Sequence, residues 1–172
     1  MDLAASVGSR LKELREARGV SLSELARRSR VGKATLSELE SGRRNPTLET
    51  LYALTTALDV PLSSVLHDPA HPATISGDAV DAVLLERFEA DTSVTETYRI
   101  RIRSGATQES AAHAPGTTEH IVVLAGTAHV GDVNDPALIG PGAHGSWAAD
   151  TPHVYRAPAG DVEALLVVRH PK

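Results

Sequence analysis

From Val7 to Leu66 the apolar residues return three and four positions apart, as in Val7, Leu11 and Leu14 and again in Leu48, Leu51, Tyr52, Thr55 and Leu58. That spacing lines one face of a helix, so this half reads as all-helical. The rhythm stops in "HDPAHPATISGD", residues 67–78, where two prolines and a glycine break it. This segment, extended to residue 79, reads as a linker. Beyond it the period becomes two: "TETYRIRIRS" alternates Tyr98, Ile100 and Ile102 with Arg99, Arg101 and Arg103, which predicts a half-buried strand. "HIVVLAG", "AHVGDV" and "VEALLVVRH" are further short apolar runs between Gly and Pro turns, as an all-β sandwich or barrel requires. The expectation is two domains, α then β, with boundaries 1–66, 67–79 and 80–172.

Composition acts mainly by exclusion. The 172 residues suffice for two small domains. None is cysteine, which rules out disulfides and thiolate-built zinc sites and fits a reducing cytoplasm. No run of about 18 apolar residues occurs, so no membrane span is expected. The net charge of -5 is uneven: residues 1–68 hold 10 Lys/Arg against 9 Asp/Glu, and residues 69–172 hold 7 against 13. An acidic second half repels nucleic acid, so any contact with DNA must come from the first.

Within that first half, Ser21 and Glu24 have the spacing of a capping box, with Val20 and Leu25 as its hydrophobic staple. A helix is predicted from Leu22 to about Ser29. Gly32 marks a turn, and Leu36 and Leu39 give the next helix its buried stripe. Two short helices joined by a tight turn form a helix-turn-helix. The exposed side of the second helix carries Lys33, Ala34, Thr35, Ser37, Glu38 and Ser41, and its N-terminal end is the one that enters a major groove. Lys33 can donate to guanine and Glu38 can accept from cytosine. Arg27, Arg28, Arg30, Arg43 and Arg44 surround this face and suit phosphates; Gly32 and Asn45, at its two ends, complete the expected DNA-binding set.

With these residues in place, 6–66 resemble the five-helix DNA-binding domain of the lambda-repressor-like, xenobiotic-response-element (XRE) class of regulators. The run "LSELARRSRVGKATLSELESGRRNPTLETLYALTTALDV" carries the likeness. The resemblance implies an ion pair between Arg15 and Glu40 linking the first and third helices. Gly32 departs from it, standing where a Ser or Thr cap is usual, which weakens a phosphate contact more than the fold.

The β half carries two polar clusters, "HAPGTTEH" followed by "IVVLAG", and "GPGAHGSWAADTPHVY", residues 140–155. In an extended strand Glu119, Ile121 and Val123 share one face, as do His153 and Tyr155. If both strands line one barrel, His113, Glu119 and His153 meet inside. The clusters resemble the two motifs of the cupin family, a double-stranded β-helix barrel. Glu119 with Gly126 anchors the first motif, His113 takes the first histidine's place, and Pro115 replaces the second; Pro141, Gly142, Pro152 and His153 match the second motif. By this resemblance His113, Glu119 and His153 hold one divalent metal, Zn, Ni, Mn or Fe, or else line a metal-free ligand pocket. Trp147 and Tyr155 either wall that pocket or fill the core. His120 is expected to point away from the interior. His67, His71, His129, His144 and His170 have no partner at ligand spacing, and Arg99, Arg101 and Arg103 read as a solvent face.

The combined resemblance implies a cytoplasmic transcription regulator, not an enzyme, in which a cupin reports a small-molecule effector to a helix-turn-helix. Two copies would read a palindromic operator with recognition helices about 34 Å apart. The competing expectation is a metal-dependent cupin oxygenase or isomerase that also represses its own gene. An antitoxin-like role finds no disordered tail to support it.

Overall fold

The computed structural model describes residues 3–66 and 74–172. The chain divides into two compact units, Met1–Ala73 and Thr74–Lys172. His67, His71 and the earlier part of the expected linker lie outside the described residues. The later part is structured, because Thr74–Ser76 forms the first strand of the second unit.

The first unit holds five helices, α1 (Leu3–Ala17), α2 (Leu22–Ser29), α3 (Lys33–Glu40), α4 (Leu48–Ala57) and α5 (Ser63–Leu66). Leu11, Leu25, Leu36, Leu51 and Leu54, all inaccessible to solvent, form its core. Helix α2 starts at Leu22 as predicted, with the Ser21 hydroxyl accepting from the Glu24 amide at 3.2 Å. The other half of the capping box differs. The Glu24 carboxylate takes hydrogen bonds from Arg27 at 2.7 and 2.9 Å and from Arg28 at 2.7 Å. Two charged donors outcompete a neutral backbone amide for it.

Two features join α1 to α3. Gly8 lies where a Cβ would collide with the Leu39 carbonyl, so the helices approach at a glycine. Arg15 binds Glu40 in a two-pronged pair, Nε to Oε1 at 2.6 Å and Nη2 to Oε2 at 2.8 Å, and also donates to the Val20 carbonyl. The two side chains are only 11% and 7% exposed, so this is a structural pair in which each charge depends on the other.

The second unit holds ten strands in two sheets. They are β1 (Thr74–Ser76), β2 (Val80–Glu89), β3 (Ser93–Ile102), β4 (Thr107–Ser110), β5 (Thr118–Ala125), β6 (Ala128–Asp132), β7 (Ala137–Ile139), β8 (His144–Ala148), β9 (His153–Arg156) and β10 (Val162–Pro171). The orders are β1-β2-β3-β10-β5-β8 and β4-β9-β6-β7. In β3 and β10 strict alternation buries Tyr98, Ile100, Ile102, Val162, Ala164, Leu166 and Val168 between the sheets. Because β10 lies between β3 and β5, Val168 pairs with both Glu96 and Glu119. Those two carboxyl groups therefore stand on the same inward face with one strand between them. Among the described residues, no helix is long and apolar enough to cross a membrane.

The Arg15–Glu40 pair yields a stability prediction. Arg15→Ala strands a buried carboxylate and should cost about 3 kcal/mol in denaturant unfolding followed by helical circular dichroism. Replacing both residues by Met should restore most of the loss. A cost for Arg15→Ala no larger than that of exposed Arg18→Ala would refute the structural role.

Candidate functional site

The loop between β4 and β5 sets the position of His113. Its amide donates to the Ala149 carbonyl at 2.8 Å, while the Ala149 amide donates to Thr117 at 2.9 Å. The intervening turn closes with Thr117 N–H on Ala114, and Gly116 is held by Asp150 at 2.7 Å. Pro115 is exposed at the turn's tip, so that position supplies no inward ligand. Glu119 follows on β5 and faces inward with Ile121 and Val123, whereas His120 is exposed. Gly126, at the end of β5, has φ +79°, and a Cβ there would collide with the Asp161 carbonyl. That double constraint is the physical reason a glycine stands seven residues after Glu119.

His113, Glu119 and His153 converge, their ligand atoms all lying within 4.8 Å of one another. His113 Nε2 is 3.1 Å from Glu119 Oε1, and His153 Nε2 is 3.4 Å from Oε2. The Tyr155 hydroxyl also donates to Oε2. Burial by itself would push the Glu119 carboxyl up; the hydrogen bond from His113, the charges of His153 and His113 and the Tyr155 hydroxyl together hold it below the usual carboxylate range. His153 Nδ1 lies 2.9 Å from the Thr151 carbonyl. A carbonyl only accepts, so Nδ1 carries a proton and Nε2 is the ring nitrogen that faces Glu119. That buried Nε2 has no hydrogen-bond partner among the described residues.

This donor set fits a divalent ion. Two imidazoles and a carboxylate suit Zn, Ni, Mn or Fe, and three protein ligands leave coordination positions for something else. The Thr151 carbonyl is the outer hydrogen bond that fixes a ligating histidine's tautomer. Trp147, half-buried on β8, pairs across the sheet with Glu119, and its ring lies 6.3 Å from that of His153 and 5.9 Å from that of Tyr155.

A second polar cluster shares the interior, and the sequence did not disclose it. Glu96 is fully buried and accepts from the Tyr98 hydroxyl at 2.7 Å. His170 Nε2 is 3.5 Å from Glu96, and its Nδ1 is 3.4 Å from the Thr117 hydroxyl. His170 was expected to lack a partner; inward alternation at the end of β10 places it against Glu96 instead. Arg101 on β3 and Arg103 just beyond it are also not simply solvated. Arg101 pairs with Asp161 and Arg103 with Asp81, pairs made by residues 60 and 22 positions apart. Exposed His144 and half-buried His129 have no ion-pair partner among the described residues.

At the other unit, the α2–α3 turn has Arg30 in the left-handed region at φ 57°, and Gly32 caps α3 with no side-chain hydrogen bond. Lys33, Ala34, Ser37, Arg43, Arg44 and Asn45 are exposed, Thr35 and Glu38 partly so. Some of these cations are already engaged. Arg27 and then Arg28 hold the Glu24 carboxyl down at about 2, and Arg44 reaches Glu38 at 3.3 Å. Among the described residues Lys33 and Arg43 have no ion-pair partner.

Comparison with known proteins bears on both units. Residues 11–65 match a helix-turn-helix family model, HTH_3. The chain is 34% identical over 158 residues to the HTH-type transcriptional regulator SutR of Escherichia coli (strain K12), covering 90% of this chain and 89% of that one. The crystal structure of an HTH_3 family transcriptional regulator from Vibrio cholerae superposes with a TM-score of 0.87 at 28% identity, over 100% of both chains. The barrel also matches a Cupin_2 domain of an XRE family transcriptional regulator from Enterobacter cloacae, with a TM-score of 0.50 and 24% identity, over 55% of this chain and 99% of that one; this shows a shared fold. With a helix-turn-helix followed by a cupin barrel, and likeness to SutR running almost end to end, the chain belongs to the XRE family of helix-turn-helix transcriptional regulators.

Proposed function

We propose that this regulator reads a palindromic operator as a cytoplasmic homodimer and that its barrel binds a small-molecule effector through a divalent ion held by His113, Glu119 and His153. The observation that carries the effector site is the convergence of three buried ligand atoms within 4.8 Å, one of them a histidine nitrogen with no hydrogen-bond partner among the described residues. When bound, the ion supplies a Lewis-acidic anchor for an electron-pair donor of the effector. Glu119 supplies the charge, Tyr155 orients it, and Thr151 fixes the His153 tautomer. Barrel-mediated pairing is supported by Phe88, Val122 and Leu124, which are exposed on the outer face of the six-stranded sheet.

On DNA, Lys33 is assigned to base edges at the N-terminal end of α3, with Ala34, Thr35, Ser37 and Glu38 beside it and Gly32 and Asn45 flanking. Arg27, Arg43 and Arg44 are assigned to phosphates. A second reading, a cupin oxygenase or isomerase, draws on the same open coordination positions. Metal-dependent turnover of small carboxylic acids would favour it over the regulator.

Fluorescence anisotropy with the gene's own promoter DNA tests the DNA assignments. Lys33→Ala should relax preference at one base position by about 1–3 kcal/mol. Arg43→Ala should weaken all duplexes alike and reduce the salt slope by about one. If the wild-type chain fails to bind that promoter at low salt, the operator reading fails.

Elemental analysis and calorimetry test the barrel. The full chain, stripped and reloaded, should take one divalent ion per chain. His153→Ala and Glu119→Gln should each abolish this binding while leaving DNA affinity at zero metal unchanged. Undiminished metal uptake in both variants would eliminate the site.

A further inference from the structure

Two buried nitrogens in this part of the barrel have no hydrogen-bond partner among the described residues: His153 Nε2 and the indole Nε1 of Trp147. They differ in kind. With Nδ1 committed to the Thr151 carbonyl, His153 Nε2 is the nitrogen free to ligate an ion once it carries no proton, whereas the indole nitrogen is a donor and nothing else. A buried tryptophan N–H as a rule finds an acceptor, since leaving it unpaired forfeits its hydration.

The surroundings define that acceptor. Trp147 stands directly across from Glu119 in the β5–β8 pairing. A Cβ built at Gly131 would lie 3.9 Å from the indole, so the backbone of β6 closes in on the ring. His153 and Tyr155, with ring centroids 6.3 and 5.9 Å from the indole, are its aromatic neighbours. The one carboxylate at hand, Glu119, already takes His113 and Tyr155. An oxygen with two lone pairs, one for the ion and one for the indole, would satisfy both nitrogens' surroundings at once.

Charge narrows the class further. Glu119 and Glu96 stand on one inward face with Val168 between their strands, about 10 Å apart by strand spacing. An interior with two carboxyl groups disfavours an anion unless a divalent ion offsets them. We propose that Trp147 is a specificity residue: its Nε1–H donates to an anionic oxygen of the effector, of the carboxylate class, and does so only in the metal-loaded barrel. This inference rests on the metal reading given above.

Trp147 is the chain's sole tryptophan, so its emission reports on this position alone. The metal-free full chain is titrated first with Zn²⁺, then with acetohydroxamate as an oxygen-donor anion or with imidazole as a neutral nitrogen donor. Emission should shift with Zn²⁺ and shift again with acetohydroxamate only when Zn²⁺ is present. By calorimetry, Trp147→Phe should leave Zn²⁺ and imidazole affinities unchanged and weaken acetohydroxamate about fivefold to tenfold. The unchanged Zn²⁺ affinity also shows that the variant is folded. Equal acetohydroxamate affinity in the variant, or equal weakening of both probes, overturns the donor role while leaving the metal reading intact. Acetohydroxamate binding without Zn²⁺ overturns the metal requirement. A wild-type chain that takes no Zn²⁺ brings down the metal reading first and this inference with it.

Discussion

The candidate site depends on one buried carboxylate, that of Glu119. Glu119 is 1% exposed in its side chain, and a carboxylate so placed is tolerated only where donors converge on it. The groups that surround it come from two stretches: His113 from the loop after β4, and His153 and Tyr155 from β9. Glu119 itself belongs to the six-stranded sheet, while β9 belongs to the four-stranded one. Meeting the needs of one carboxylate therefore ties the two sheets together. Because the folded state holds this carboxyl below its ordinary value, the stability it lends is fully present above the ordinary carboxylate range. It is lost as pH falls through the lowered value.

The helical unit solves the opposite problem, that of presenting positive charge without wasting it. Arg15 is spent on Glu40, the Val20 carbonyl and Glu16, so it stabilises the packing of α1 on α3 rather than facing DNA. Arg27 and Arg28 share Glu24, and Arg44 leans on Glu38. All three are exposed by about half or more and can exchange these partners for phosphates at little cost, since exposed pairs contribute little. Phosphate binding as proposed for Arg27 and Arg44 would thus be a swap of anions. Lys33 and Arg43 begin without such a partner among the described residues, so their attraction to DNA is undiluted.

Local signals in the sequence carried most of the architecture. Apolar spacing located the helices, Ser21 fixed the start of α2, and alternation through Tyr98, Ile100 and Ile102 located β3. The meeting of His113, Glu119 and His153 was legible because Gly126 fixes the counting, and the structure supplies the reason in its left-handed backbone against Asp161. What stayed hidden depends on pairing between distant strands. Glu96 and His170 lie 74 positions apart and meet only because β3 and β10 are neighbours in a particular register. The Arg101–Asp161 pair has the same origin. The strand at Thr74–Ser76 was lost inside a proline-marked linker because three residues are too few to show a period.

Effector binding changes DNA affinity only if it favours one arrangement of the regulator over another. In β5 the inward residues Glu119, Ile121 and Val123 alternate with outward Val122 and Leu124, and β10 next to it turns Leu165 and Val167 outward. The carboxylate at the proposed effector site and the exposed apolar side chains proposed for pairing are thus two faces of one strand. A ligand that draws Glu119 toward an ion would act on a backbone whose other face carries side chains proposed to meet a second copy, with no intervening loop to absorb the shift. Strands are stiff and packed interiors compress little, so a small displacement of β5 is passed on to its outer side chains rather than dissipated. On the proposed arrangement the barrel needs no separate relay between effector and dimer, because β5 would belong to both.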